Sequence, residues 1–160
     1  MKQTLMAVLA LAVCLVAPAL MSADTNPNVG TWKLNLRNTS YPNGTAAPKS
    51  LTRTVTADGD KVKYVFEGEA ADGSALKYSF TVKYDGNDNE ISGAGPFGAD
   101  HIALKKIDSQ RYEGTLKKGN TVVATVDTTV SHDGKTATVR AKGTDKDGKP
   151  IRQTQVFNKE

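Results

Sequence analysis

The chain has 160 residues, of which 21 are basic and 17 acidic, giving a formal net charge of +4. Charges of both signs are spread along the chain rather than gathered into a basic stripe with interleaved aromatics, so a nucleic-acid binder is not expected. The only cysteine is Cys14, near the N-terminus. Residues 24–160 therefore have no disulfide, zinc–thiolate site or thiol nucleophile, and their length suits one domain with an ordinary hydrophobic core.

The first 23 residues have the pattern of a secretory signal peptide. Lys2 precedes an apolar run over residues 5–16, and small residues follow it. This run is shorter than the ~20 residues that a membrane-spanning helix needs, which favours cleavage over a membrane anchor. Cleavage is predicted after Ala23, with Ala19 as the alternative. The mature chain, residues 24–160, is then expected to be periplasmic or secreted.

Asp-Gly dipeptides divide the mature chain into short segments. They lie at 58–59, 72–73, 85–86, 133–134 and 147–148, and Lys118-Gly119-Asn120 adds a further turn. Each is interpreted as a hairpin turn, because type I′ turns require positive φ at both central residues. No two turns are far enough apart to hide a long crossover helix.

Between these turns, apolar and polar residues alternate with the period of a strand. The first strand is predicted over Gly30–Leu36, with Trp32, Leu34 and Leu36 inward, and the last over Ile151–Phe157. Pairing these two strands closes the sheet and removes its edges. We therefore predict an all-β fold, a single antiparallel up-and-down barrel of 8–10 strands, with a Greek-key sandwich as the alternative.

Two stretches interrupt the alternation. Residues 37–50 are polar and contain proline, and are predicted to be a loop across one barrel end. The glycine-rich segment Ser92–Ala99 is predicted to be a second loop that presents Phe97. This loop is either a plain connection between strands or a portal for a ligand, and the sequence leaves both interpretations open.

The segment Val29-Gly30-Thr31-Trp32-Lys33-Leu34 resembles the Gly-x-Trp opening of the calycin proteins, which include the lipocalins and the fatty-acid-binding proteins. In those families the tryptophan plugs one barrel end, and a closing barrel gives Trp32 the same place to fill. More narrowly, the chain resembles bacterial exported proteins described only as lipocalin-like domains. The resemblance rests also on the mature length, the hairpin-linked strands and the terminal strand, so it implies a calycin-like barrel over nearly all of residues 24–160.

The final strand departs from the fatty-acid-binding proteins. There an inward arginine and tyrosine, two residues apart, hold the ligand carboxylate, whereas this chain has Gln155 and Phe157. Glutamine forms hydrogen bonds but does not neutralise a carboxylate. Ion-pair recognition of a fatty acid is therefore not expected on this strand.

A set of inward residues is predicted to contact a ligand if the barrel is hollow. A barrel of this size either fills itself with side chains or holds one small molecule, and the sequence does not choose between the two. The predicted ligand-binding residues are Tyr64, Phe66, Tyr78, Phe80, Tyr84, Tyr112, Gln155 and Phe157.

No constellation of catalytic or metal-binding residues stands out. His101 and His132 are isolated from each other, and the acidic residues cluster at turns, where turn chemistry and solubility explain them. We therefore predict no enzyme, no cofactor and no metal. A membrane-spanning barrel is not expected either, because the strand face opposite the apolar one is charged, as at Lys63, Lys77 and Arg140.

These patterns lead to one functional hypothesis and one alternative. The protein is predicted to be an exported monomeric barrel that binds or carries a small hydrophobic or amphipathic ligand in its interior. In the alternative, the barrel is filled and the protein acts through its loops as an inhibitor or protein-interaction module.

Overall fold

A computed structural model describes residues 26–42, 45–145 and 147–160. The predicted signal peptide lies outside these residues. The described part forms eleven strands and one turn of 3-10 helix, in the order β1 (Gly30–Leu34), β2 (Ser50–Asp58), β3 (Lys61–Glu69), β4 (Ala75–Val82), β5 (Asp85–Glu90), β6 (Ser92–Gly93), the 3-10 turn (Pro96–Gly98), β7 (His101–Lys106), β8 (Arg111–Lys118), β9 (Thr121–Val130), β10 (Thr136–Thr144) and β11 (Pro150–Lys159).

All eleven strands belong to one antiparallel sheet in the order β5-β7-β8-β9-β10-β11-β1-β2-β3-β4-β6. Strand β1 pairs with both β2 and β11, so Trp32 lies opposite Arg53 on one side and Lys159 on the other. The predicted pairing of the first strand with the last is confirmed, and the up-and-down order replaces the Greek-key alternative. Strand β5 pairs with β7, whereas β6, one residue further on, pairs with β4. Counted as one bent strand, β5 and β6 give a ten-stranded barrel, within the predicted range.

One predicted hairpin turn is wrong. Asp85-Gly86 lies inside β5 instead of between paired strands, and no ladder of hydrogen bonds joins β4 directly to β5. The chain reverses one step earlier, where Tyr84 has a φ of 60°. Gly86, with a φ of 80°, lies at a register shift against β7. The dipeptide therefore forms a bulge, which also uses the positive φ that glycine tolerates.

Leu36, which was predicted to be inward, is exposed, and so is the apolar residue Val122 of β9. Strand β1 ends at Leu34, so Leu36 lies in the turn that follows and is 45% exposed. In β9, the register shifts between Leu116 and Lys117 of the partner strand, which turns Val122 outward with 54% exposure. A one-residue shift reverses the face of every side chain beyond it, because the strand period is two.

The apolar residues of all these strands form one core inside the barrel. Trp32 and Phe157 have no exposed surface, and Tyr112 and Leu116 have almost none. The end of the barrel that carries Asn28 and Trp32 is called the tryptophan end here. Of the predicted loop over residues 37–50, the described residues 37–42 and 45–49 lie outside the named strands, with one bridge from Ser40 to Thr154 of β11, and Ser50 begins β2.

Candidate ligand-binding site

The barrel encloses a small cavity. The volume open to the centre of a water-sized sphere is about 100 Å³, compared with about 150 Å³ for an apolar cavity that binds benzene. Its lining is mostly apolar, with a few polar groups among the aromatic and aliphatic side chains. The lining residues are Asn28, Arg53, Tyr64, Phe66, Tyr78, Phe80, Pro96, Phe97, Ile102, Leu104, Tyr112, Leu116, Val126, Thr128, Val139, Ala141, Gln153, Gln155 and Phe157.

A buried arginine is the most unusual member of this lining. Strand β2 alternates inward Leu51, Arg53 and Val55 with side chains on the other face, so the strand period directs Arg53 into the barrel. The side chain is only 2% exposed. Charged side chains are almost never buried to this extent without a partner of opposite charge.

Arg53 is held by neutral groups. Its Nη2 donates a hydrogen bond to the Oδ1 of Asn28 at 3.0 Å, and its guanidinium carbon lies 5.0 Å from the ring centroids of both Trp32 and Phe157. Its Nε has no hydrogen-bond partner, and no carboxylate of the described residues forms an ion pair with it. The guanidinium is therefore a buried positive charge with one N–H left unsatisfied.

A hydrogen-bond network extends from Arg53 across the tryptophan end. The Nδ2 of Asn28 donates to the hydroxyl of Tyr64 at 2.6 Å, and this hydroxyl contacts that of Tyr84. Asn26 connects the remaining members, since its Nδ2 donates to Tyr84 at 3.4 Å and its Oδ1 accepts from Tyr112 at 2.7 Å. The network thus joins five side chains to the buried charge through neutral amides and hydroxyls.

Trp32 forms the floor of this end of the barrel. Its Nε1 donates to the carbonyl oxygen of Asn28 at 2.9 Å, so the residue that binds Arg53 is also fixed through its backbone. Lys159 lies over the Trp32 ring at 5.0 Å. The side chain of Trp32 has no exposed surface, and its role as a plug stays a prediction.

Burial shifts the pKa values of the polar groups in the interior. Removal from water lowers the pKa of Arg53, and the surrounding tyrosines partly oppose this; an arginine nevertheless keeps its charge in proteins. Burial raises the pKa of Tyr64 well above its ordinary value, with a further contribution from Tyr84. Burial also raises the pKa of Tyr78, and the charge of Arg53 opposes the rise. Tyr64 and Tyr78 therefore remain neutral hydrogen-bonding groups at physiological pH.

Most of the predicted ligand-binding residues lie together in the cavity wall. Tyr64, Phe66, Tyr78 and Phe80 form a stacked aromatic series on β3 and β4, with Phe66 and Tyr78 centroids 4.4 Å apart. The lining also includes Tyr112, Gln155 and Phe157. Tyr84 is the exception, because it lies behind Tyr64 in the network and does not line the cavity. Whether these residues bind a ligand remains a prediction.

The predicted portal residue, Phe97, forms part of the cavity wall. It lies in the 3-10 turn with a φ of 56°, a conformation that is unfavourable for a bulky residue. A Cβ added at Gly143 would lie 3.1 Å from the Cδ1 of Phe97, so the small residue on β10 makes room for the ring. Beyond this turn, a shallow surface depression contains Tyr41, whose hydroxyl accepts a 2.8 Å hydrogen bond from Gln155.

The histidines lie apart from the cavity. The Nδ1 of His101 is 2.7 Å from the Oδ1 of Asp100, and His132 is exposed beside a turn. Within the described ranges, no three histidine, cysteine or acidic side chains are grouped closely enough to hold a metal ion. No helix in this part of the chain has the length and hydropathy to cross a membrane.

Sequence reasoning predicted the tyrosines of the tryptophan end but missed three other polar residues there, Arg53, Asn26 and Asn28. Arg53 had a usable signal, because it occupies the inward position of a strand between the apolar residues Leu51 and Val55. Asn26 and Asn28 had none, since they precede the first strand and their inward placement depends on tertiary contacts.

No protein-family model matches the chain, and no curated protein matches it. Among solved structures, zebrafish ileal bile acid-binding protein complexed with cholic acid is similar, with a TM-score of 0.55 and 9% identity over 84% of this chain and 99% of that chain. Lobster apocrustacyanin A1 gives a TM-score of 0.46 and 14% identity over 88% of this chain and 64% of that chain. The first of these likenesses shows the fold alone: the chain is an antiparallel up-and-down β-barrel similar to that of the bile acid-binding protein.

Proposed function

We propose that this protein binds a small hydrophobic or amphipathic molecule inside its barrel and acts as a carrier rather than an enzyme. The supporting observation is the internal cavity, whose aromatic and aliphatic wall is interrupted by a few polar groups, as ligand sites commonly are. The bile acid-binding protein with the same fold offers a parallel for interior binding. We also propose that residues 1–23 direct export to the periplasm or the medium, and that the mature chain acts there as a monomer.

Because the cavity is small, the proposal also involves the 3-10 turn Pro96–Gly98. A void of about 100 Å³ holds a group of only a few non-hydrogen atoms. We propose that a longer ligand is accommodated by displacement of the 3-10 turn that contains Pro96 and Phe97, since both residues line the cavity. The small void also favours the alternative function, in which the barrel stays filled and its loops bind another protein.

Titration with N-phenyl-1-naphthylamine, a neutral dye whose emission rises in apolar surroundings, distinguishes these functions. We expect saturable binding of one dye molecule per chain. Ala141→Leu adds bulk to the cavity wall and should abolish that binding, whereas Ala75→Leu, at an exposed position of β4, should leave it unchanged. Circular dichroism of both variants checks that the fold is kept. Absence of dye binding to the wild-type protein would reject the carrier function.

A further inference from the structure

We propose that the cavity contains an anion subsite at the tryptophan end, centred on Arg53, and that the ligand is an organic acid whose carboxylate lies there. This inference rests on the proposed carrier function and specifies the chemical class of the ligand. The site is on β2, a different strand from the Gln155 and Phe157 positions considered for carboxylate recognition on β11.

The first argument concerns charge. A guanidinium that is 98% buried has lost its hydration, and neutral contacts replace water only in part. No described carboxylate compensates it, although the chain has 17 acidic residues. The ion pairs among the described residues lie elsewhere, on the barrel surface, as between Lys77 and Glu67. A negatively charged ligand would supply the missing partner.

The second argument concerns hydrogen bonds. The Nε–H of Arg53 is unsatisfied. A second donor is also in excess, because only one of the two hydroxyl hydrogens of Tyr64 and Tyr84 fits into the contact between their oxygens. Asn28 and Asn26 already donate to these oxygens. The Nε–H of Arg53 and one tyrosine hydroxyl hydrogen thus have no acceptor within the network, and a carboxylate, an acceptor-only group, would supply one.

The third argument concerns position. The amide of Asn28 accepts from Arg53 at one end and donates to Tyr64 at the other. This one side chain therefore holds the guanidinium and the hydroxyl beside each other in the cavity wall. Both are fixed before any ligand arrives, which reduces the entropic cost of binding.

The rest of the wall indicates the body of the ligand. Outside Arg53 and its hydrogen-bond network, most of the cavity wall is apolar, with Phe66, Phe80 and Phe97 among its residues. An acid with an aliphatic or aromatic body matches this composition, with its charged group at Arg53 and its apolar part against the remaining wall. A free inorganic anion would leave the apolar part of the wall unused.

The test uses octanoate and octan-1-ol, which share a chain length and differ in head-group charge. Isothermal titration at pH 7.4 of the protein, after organic extraction, should show octanoate binding at least about tenfold more tightly than octan-1-ol. Arg53→Met should weaken octanoate by about 10- to 100-fold, the range of a charged hydrogen bond, and leave octan-1-ol within about threefold. Arg53→Lys keeps the charge without the planar fork and should give an intermediate octanoate affinity.

Arg152→Met is the matched control, because it removes the same charge from an exposed position of β11 and should change neither affinity. The ratio of octanoate affinity to octan-1-ol affinity in the wild-type protein tests the subsite even if Arg53→Met does not fold. If octan-1-ol binds as well as octanoate, or if Arg53→Met weakens both equally, the anion subsite is rejected while the carrier function stands. If neither compound binds to the wild-type protein, both proposals fail.

Discussion

Removal of the Arg53 charge is expected to leave the empty barrel nearly as stable as before. Arg53→Met loses two cation–π contacts, each worth about 0.5–2 kcal/mol, and one charged hydrogen bond worth about 1.5–3 kcal/mol. It also removes a desolvation penalty of roughly several kcal/mol for an unpaired buried ion. These contributions oppose each other, so we expect the free energy of unfolding to change by no more than about 2 kcal/mol in either direction.

Urea unfolding of the extracted protein, followed by circular dichroism, measures this difference. In thermal unfolding, where 1 kcal/mol corresponds to about 3–4 °C for a domain of this size, Tm should change by less than about 8 °C. Arg152→Met provides the baseline for loss of a basic residue. A loss above about 4 kcal/mol would refute the reasoning, because Arg53 would then be a structural clamp between Trp32 and Phe157.

Three further predictions concern Phe97, Trp32 and the buried tyrosines. Phe97→Ala should speed the association of N-phenyl-1-naphthylamine in stopped-flow fluorescence, with Phe97→Leu as control, whereas an unchanged rate would place the entry path elsewhere. Trp32→Ala should cost about 3–5 kcal/mol of stability in urea unfolding, and a cost below about 1 kcal/mol would contradict its role as plug. Burial holds the pKa values of Tyr64 and Tyr78 above that of an unfolded tyrosine, near 10. The free energy of unfolding should therefore keep its full value below about pH 10 and fall above it by about 1.4 kcal/mol per pH unit for each such tyrosine. Tyr64→Phe and Tyr78→Phe should each reduce this slope. If these tyrosines ionised normally in the folded protein, the slope would be absent.

The barrel itself follows from local patterns. Alternation along β3 and β4 and the glycine-containing turns predict paired strands, and strands at both ends of the domain predict closure. Errors arise where one residue changes the register, as at Gly86 and Val122. Such bulges depend on the partner strand, which a single segment of sequence does not reveal.

The sequence pattern placed the aromatic residues of the candidate site inward, the tyrosines included, but Arg53, Asn26 and Asn28 were missed. The aromatic series from Tyr64 to Phe80 is visible as inward positions of two strands. Arg53 was overlooked although its strand position is inward, because a charged residue in an alternating pattern is ordinarily assigned to the solvent face. The contacts from Asn28 and Trp32 that accommodate it come from distant parts of the chain and become apparent only in the folded barrel.

Native mass spectrometry of the protein purified from the organism that produces it tests the central claim most directly. The carrier account predicts one small organic molecule per chain, released by organic extraction and identified as an acid with an apolar body. A native mass equal to that of the polypeptide alone, together with no uptake of N-phenyl-1-naphthylamine or octanoate, would contradict the account and direct attention to the loops.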